Sequence, residues 1–375
     1  WHASPEFGSF ANSRHMPEKD KQVLRRWVEA GMPYGDPDDL PPPAHYVEGW
    51  RLPEAPHVVL PMREEPFEVP AEGTVEYQYF VVDPGFKEDK WVRAAEVIPG
   101  CSSVVHHCSA FTRPPDGASF REIGLLSAFV PGQVRSPLPE GYAQRIPAGS
   151  RIVFQMHYTP NGKVERDLTK LGLVFADPSE VTHEVIALGG IQQEFEIPPQ
   201  MPHHVVDGRI GWFPRDGLLL SIMPHMHLRG KAFEFRVERG DQPETVLKVP
   251  AYDFNWQHNY ELTSPLPLND VDELTFSAIF DNSSDNPFNP DPSELVTWGD
   301  QTWQEMAVTF ISVARPLSDG RRESRPELSK GEQEQMAEQR ERQPRSASEF
   351  ADRYIGRFDD NGDGFVTKNE LPHSV

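Results

Sequence analysis

Between Val47 and Pro316 the chain is a succession of short runs rich in Val, Ile, Phe and Tyr, each closed by Pro, Gly, Asn or Asp. Val75–Val82, Lys90–Val97, Val104–Phe111 and Arg151–Tyr158 have strand length and strand composition, as do Leu218–Met223, Ala232–Val237, Glu273–Phe280 and Ala307–Ala314. No helical periodicity intervenes, so βαβ units are excluded and antiparallel sheets remain. The 38 prolines and 27 glycines supply the turns such a chain needs. The region is about 270 residues long, too much for one small sandwich. The expected fold class is therefore all-β: two antiparallel β-sandwich domains of jelly-roll type in tandem, with short helical appendages at each end.

The proline-rich stretch Ile197–Pro202 marks the expected break, giving sandwiches over 46–196 and 197–316. Residues 1–45 are different. Lys19–Ala30 carries Val23, Leu24, Trp27 and Val28 on one helical stripe, Gly31 is a stop, and Asp36–Pro43 reads as a linker. A lone amphipathic helix cannot bury itself, so it is expected to dock, against sequence upstream of Trp1. Residues 317–345 form a polar linker. In 346–375, Phe350, Tyr354 and Phe358 recur every four residues and mark a short helix.

Acidic residues outnumber basic ones by 58 to 36, a net charge of -22, which argues against nucleic-acid and anionic-membrane partners. No apolar run reaches the roughly 18 residues of a membrane span. The two cysteines, Cys101 and Cys108, are too few for a disulfide framework, and a local bridge or two thiols both remain open.

The chemistry concentrates on histidines. His225 and His227 follow the apolar run Leu218–Ile222, and alternation along a strand sends both to one side. Met306, just before the run Ala307–Ala314, is the best third ligand. Two imidazoles and a thioether form a soft set that suits copper, Cu(I) above all, better than zinc or a hard cation. A second cluster is His106-His107. Neighbours on a regular strand face opposite ways, so both reach one metal only at a bulge. His157, in Gln155-Met156-His157-Tyr158, is its natural third member. His203 and His204 read as solvated, and His183 and His258 as packing or surface residues.

In chain order, His106-His107, Gln155-Met156-His157-Tyr158, His225-Met226-His227 and Glu305-Met306 resemble the copper type II, ascorbate-dependent monooxygenases, which include peptide α-hydroxylating and dopamine β-hydroxylating enzymes. The resemblance covers roughly Val47–Pro316. It implies two coppers per chain facing each other across an open interdomain cleft. His106, His107 and His157 would hold the electron-supplying copper, and His225, His227 and Met306 the oxygen-binding copper. It also implies O2 as co-substrate, a small-molecule substrate and an extracytoplasmic location.

Departures narrow the substrate. In the peptide-amidating branch an Arg two positions before the first His of His-x-His anchors the substrate carboxylate, and here that position is Met223. An Asn and a Tyr two and four positions after the copper Met are Val308 and Phe310 here. The family's several disulfides are also missing. A less polar, non-peptide substrate is expected.

Two further resemblances flank this region. Trp1–Pro5 through Arg26–Gly31 is similar to the tail of bacterial c-type cytochrome domains, although no Cys-x-x-Cys-His occurs to attach haem. The electron donor is thus ascorbate or a haem domain. Asp359–Glu370 resembles an EF-hand loop, with Asp359, Asn361, Asp363, Thr367 (through water), Glu370 and the Phe365 carbonyl as calcium ligands. The competing readings are a copper-binding or electron-transfer protein without hydroxylase activity, a zinc hydrolase, and a purely structural sandwich. Thioether ligation and the lack of a helical His-Glu-x-x-His speak against zinc.

Overall fold

A computed structural model describes residues 2–43, 47, 49–115, 122–132, 136–240, 242–299 and 301–317. The EF-hand-like loop, the Phe350/Tyr354/Phe358 stripe and the polar linker from residue 318 lie outside the described residues. Helix α1 (Glu18–Glu29) is followed by β1 (Val58–Pro61), β2 (Phe67–Val69), β3 (Gln78–Val82), β4 (Lys90–Ile98), β5 (Val105–Arg113), β6 (Leu125–Phe129) and β7 (Tyr142–Ile146). Next come β8 (Arg151–Tyr158), β9 (Glu165–Asp167), β10 (Lys170–Phe175), β11 (His183–Gln192), β12 (Glu196–Ile197) and β13 (His204–Arg209). The last are β14 (Leu218–His225), β15 (Gly230–Arg239), β16 (Gln242–Val249), β17 (Tyr260–Pro267), β18 (Glu273–Phe280), β19 (Val296–Thr297) and β20 (Ala307–Pro316). The fold is all-β, as the sequence leads one to expect.

An eight-stranded sheet, β1-β10-β4-β7-β11-β20-β14-β17, runs through the molecule. Two four-stranded sheets accompany it. The β3-β8-β5-β6 sheet shares a core with its first four strands, where Phe154 and Met156 of β8 meet Val92, Leu171 and Leu173. The β13-β18-β15-β16 sheet shares another with its last four, where Phe233, Phe235 and Phe276 meet Leu219, Ile222 and Val313. Each fully buried ring contributes about 1.5–3 kcal/mol through apolar area removed from water. Ile186 and Leu188 of β11 already belong to the second core, and β11 pairs with β20 along its whole length. The core therefore changes before β11, upstream of the expected break at Ile197–Pro202.

The two halves are joined by backbone, charge and apolar contact together. Strand β7 of the first half pairs in parallel with β11 through His183↔Tyr142 and Glu184↔Ala143. The Glu184 carboxylate, 4% exposed, accepts from Arg145 Nε at 3.1 Å and from Arg315 Nη2 at 2.6 Å. A small cluster, Tyr79, Phe111, Ile123, Leu125, Val153 and Ala187, fills the joint with Phe310 packed against it.

The N-terminal segment lies on the second half. Ser4 donates its amide to Lys248, Phe10 bridges to Leu262, and Asn12 Nδ2 donates to the Asn259 carbonyl at 2.7 Å. Helix α1 has acidic Glu18 and Asp20 in its first turn and ends at Gly31, where φ is +82°. Its apolar stripe is uncovered among the described residues: Val23, Leu24, Trp27 and Val28 are each about half exposed. Cys101 and Cys108 are both free thiols, the second buried.

Glu184 carries the joint, and removing it leaves Arg145 with Asp89 and Arg315 with Glu122 as remaining carboxylate partners. Glu184→Ala is expected to destabilise the chain by about 1–2 kcal/mol, less than the roughly 3–5 kcal/mol of a fully broken buried pair, because both guanidinium groups keep that second partner and some solvent contact. Urea unfolding measures it, and a change below about 0.5 kcal/mol would remove the ion cluster from the account of the joint.

Candidate metal centre

Strands β5 and β8 build the first imidazole cluster. Their antiparallel register pairs Val105 with Tyr158 and His107 with His157, and it shifts between those pairs, leaving His106 as the extra residue of a bulge. The bulge brings two sequence neighbours to one place. His106 Nδ1 lies 3.1 Å from His107 Nδ1, and the ring centroids of His106 and His107 lie 5.1 Å and 4.9 Å from that of His157. Ligand-capable atoms of all three residues fall within 4.8 Å of one another, a group that could hold a metal ion. Tyr77 of the segment before β3 stacks on His157 with centroids 4.8 Å apart, and its hydroxyl is 3.2 Å from His107 Nε2.

The second cluster sits at the end of β14. His225 pairs with Val308 of β20, and His227 follows where the chain leaves the ladder. Their ring centroids are 5.3 Å apart. Register and alternation put Met223 and His225 of β14 and Val308 and Phe310 of β20 on one face, with Met306 continuing that parity just before β20. The Glu305 carboxylate holds this corner together. It accepts the amides of His227 at 2.8 Å, Arg229 at 2.6 Å and Met306 at 3.3 Å, thereby tying the segment of the His pair to that of the Met. Burial pushes the Glu305 carboxyl up to about 8, against the pull of those three amides and of Arg229. The Arg229 guanidinium, itself buried, donates to Asn282, Trp303 and Asp291.

Hydrogen bonds identify the ring nitrogens that stay bare. A carbonyl only accepts, so His227 Nδ1, 3.2 Å from the Gln304 carbonyl, carries the proton and Nε2 has the lone pair. Gln257 Nε2 donates to the Phe254 carbonyl, which turns its Oε1 toward His225 Nδ1 at 2.5 Å and leaves His225 Nε2 bare. Asn255 Nδ2 donates to Asp253, which turns its Oδ1 toward His106 Nε2 at 3.4 Å and leaves the lone pair on His106 Nδ1, which faces His107 Nδ1. Two of the available nitrogens, His157 Nδ1 and His227 Nε2, are buried with no hydrogen-bond partner. Leaving such atoms unsatisfied costs about 1–3 kcal/mol each, and a metal ion satisfies them.

Burial sets the charge state. Desolvation lowers His106 and His225, takes His107 and His227 well below the usual imidazole range and brings His157 down to about 3, with neighbouring imidazoles adding repulsion in each cluster. All five rings are neutral at pH 7 and need lose no proton to ligate. The three imidazoles of the first cluster thus fit a metal ion, and His227 Nε2 gives the His225/His227 pair an orphaned nitrogen of its own.

The clusters touch. Centroids of His107 and His225 are 6.4 Å apart, and Phe254 stacks on His106 at 4.9 Å while lying 6.1 Å from His227. An open interdomain cleft is thus not what these residues form, because the shared sheet draws the halves together and Phe254 fills the space between them. Tyr77, Phe254, Asn255, Gln257, Gln304 and Glu305 all surround the imidazoles, and sequence reasoning gave none of them a role. Only Glu305 had a signal, as the neighbour of Met306. Of the other histidines, His204 opens β13 and His183 stacks on Tyr142 at 4.5 Å, both away from the clusters.

No protein-family model matches the chain, and no curated protein matches it. Among solved structures, the crystal structure of the major capsid protein P2 from bacteriophage PM2 aligns with 70% of this chain and 98% of its own, at 9% identity and a TM-score of 0.33. The STIV MCP aligns with 70% and 96%, at 10% identity and a TM-score of 0.29. Likeness at these scores carries no argument about function.

The depressed imidazoles make metal-free stability depend on pH. His157 titrates near 6.5 when unfolded and about 3 when folded, so between those values the unfolded chain binds the extra proton. Stability should then fall as pH drops through this window, by about 1.4 kcal/mol per pH unit from this residue. Denaturant titrations of wild type and His157→Gln at pH 7, 5.5 and 4.5 measure it, with a shallower loss expected in the variant. Equal slopes would contradict a buried neutral His157.

Proposed function

We propose that the protein is a copper-dependent monooxygenase that uses O2 and a one-electron reductant to hydroxylate a C–H bond of an apolar, non-peptide small molecule. The observation that carries this reading is the convergence of five neutral imidazoles from the His-His, Gln-Met-His-Tyr and His-Met-His motifs, three of them buried, with His157 Nδ1 and His227 Nε2 lacking any hydrogen-bond partner. His106, His107 and His157 would hold one copper. His225 and His227, with Met306, would hold the other, and a soft thioether there favours the reduced metal. When bound, copper supplies one-electron steps and a position for O2.

The chain's own residues do the rest. Gln257 and the Gln304 carbonyl hold His225 and His227 in the tautomer that offers Nε2. The Glu305 carboxylate fixes the backbones that carry His227 and Met306. Tyr77 and Phe254 cover the imidazoles and keep water from them. Met223, Val308 and Phe310 make the sheet face beside His225 apolar, with Phe310 6.5 Å from its ring. Those three side chains offer no cation or amide to pair with a carboxylate, and an unpaired charge placed against them would cost several kcal/mol, so an uncharged substrate is favoured.

The reductant is ascorbate or a haem domain of the kind the N-terminal segment resembles, and an extracytoplasmic location agrees with this chemistry. Among the described residues no helix is long and apolar enough to cross a membrane. Asp359–Glu370 remains a proposed calcium loop on its sequence alone.

A second reading, copper storage or electron transfer without hydroxylation, is favoured by Phe254 occupying the space between the clusters. A cavity of about 180 Å³ in the first half, lined among others by Arg51, Arg93, Glu96, Leu126 and Phe129, has none of the five imidazoles in its wall.

Copper titration of the full chain should give two ions, with reductant-dependent O2 uptake coupled to a hydroxylated product. Met306→Ala should lower product formation by roughly two orders of magnitude while leaving the copper at His106, His107 and His157. One ion or none per chain, or unchanged turnover in the variant, would overturn the assignment. Uptake of O2 with no hydroxylated product would favour the second reading, and efficient turnover of a glycine-extended peptide would refute the apolar substrate.

A further inference from the structure

The loop Tyr252–Gln257 belongs to the second half, between β16 and β17, yet it reaches residues of both imidazole clusters. Each of its contacts is specific. The Tyr252 hydroxyl donates to the Met226 carbonyl at 2.8 Å and accepts the Met226 amide at 3.1 Å, fixing the residue between His225 and His227. Gln257, 3% exposed, accepts from His225 Nδ1. Asn255 accepts from His106 Nε2, in the other half of the molecule. Phe254, between these two polar side chains, stacks on His106 and touches the edges of His157 and His227.

The loop is held in shape independently of the imidazoles. Asp253 accepts the Asn255 amide at 2.9 Å and the Asn255 side-chain Nδ2 at 3.2 Å, closing a short 3-10 turn over Phe254–Trp256. Gln257 Nε2 donates to the Phe254 carbonyl within the same turn. Trp256 presses on Gly132 of the first half, where φ is +75° and a Cβ would come 2.5 Å from the indole. Both amide orientations are thus dictated by bonds inside the turn, and each presents its oxygen to an imidazole.

We infer that the Asp253–Gln257 turn is a positioning strap, in which Asn255 selects the unprotonated nitrogen of His106 and Gln257 that of His225, so that one rigid turn prepares both metal sites. The inference rests on the copper reading above. An acceptor behind a ligating imidazole fixes its tautomer and raises its basicity, an effect worth about 10- to 100-fold in metal affinity.

The test uses the full chain and copper alone. Cu(I) affinities are measured by competition with a chromophoric chelator, and the two Cu(II) sites are followed by their separate paramagnetic resonance signals. Asn255→Leu should weaken the His106/His107/His157 site by about 10- to 100-fold and change its signal, leaving the other site within about threefold, and Asn255→Asp, which keeps an acceptor, should restore it. Gln257→Met should do the reverse, acting on the His225/His227 site, with Gln257→Glu restoring it. A wild-type chain that binds two coppers, with neither Asn255→Leu nor Gln257→Met altering affinity or signal, overturns the strap and leaves the copper reading standing. Equal weakening of both sites in each variant, unrescued by Asp or Glu, also overturns it, since that is a folding defect and not tautomer selection. A wild-type chain that binds no copper removes the copper reading, and the strap with it.

Discussion

The structure depends on one short piece of parallel pairing, where β7 of the first half lies beside β11 of the second. Two residue pairs are little by themselves. They hold because Glu184, on β11, is buried between Arg145 of β7 and Arg315 of β20, and because Tyr142 stacks on His183 across the same junction. A carboxylate taken out of water is costly unless its oxygens are filled, and two guanidinium groups fill them. The consequence is a single sheet through two cores. Halves joined in this way are not independent bodies, and their imidazole-bearing ends meet as part of the fold.

A hierarchy of polar groups then organises the imidazoles. The five rings are neutral because burial disfavours their charged form, and in three of them, His106, His225 and His227, an oxygen behind the ring takes the proton and fixes which nitrogen keeps the lone pair. Those partners are backbone and side-chain carbonyls on loops, not neighbours along the strands that carry the histidines. Glu305 plays a similar part for the backbone, gathering the amides of His227, Arg229 and Met306 around one carboxylate. Strands supply rigidity, a bulge supplies the one irregular position at His106, and loops supply chemical state.

Met223, Val308 and Phe310 fall on neighbouring rungs of the β14–β20 pair beside His225, with Met223 opposite Phe310 and His225 opposite Val308. The other face of this pair sets the register, because Ile222, Ile311 and Val313 are buried there in the second core.

The sequence by itself determined the all-β class, most strand positions, helix α1 and the three histidine motifs, because strand alternation and metal-binding chemistry are local properties of a few residues. It also stated a condition, that His106 and His107 share a site only at a bulge, and a bulge is there. What it did not contain was the partnership of distant segments. The core boundary ahead of β11, the contact between the two clusters, and the roles of Tyr77, Phe254, Asn255 and Gln257 follow from strand order and loop packing. No periodicity in Tyr252–Gln257 marks it as a strap, since its hydrogen bonds run to residues about 30 and 150 positions away. Local patterns singled out the histidines; only the tertiary structure could choose which nitrogen of His106, His225 and His227 keeps its lone pair, because that choice belongs to whatever packs behind the ring.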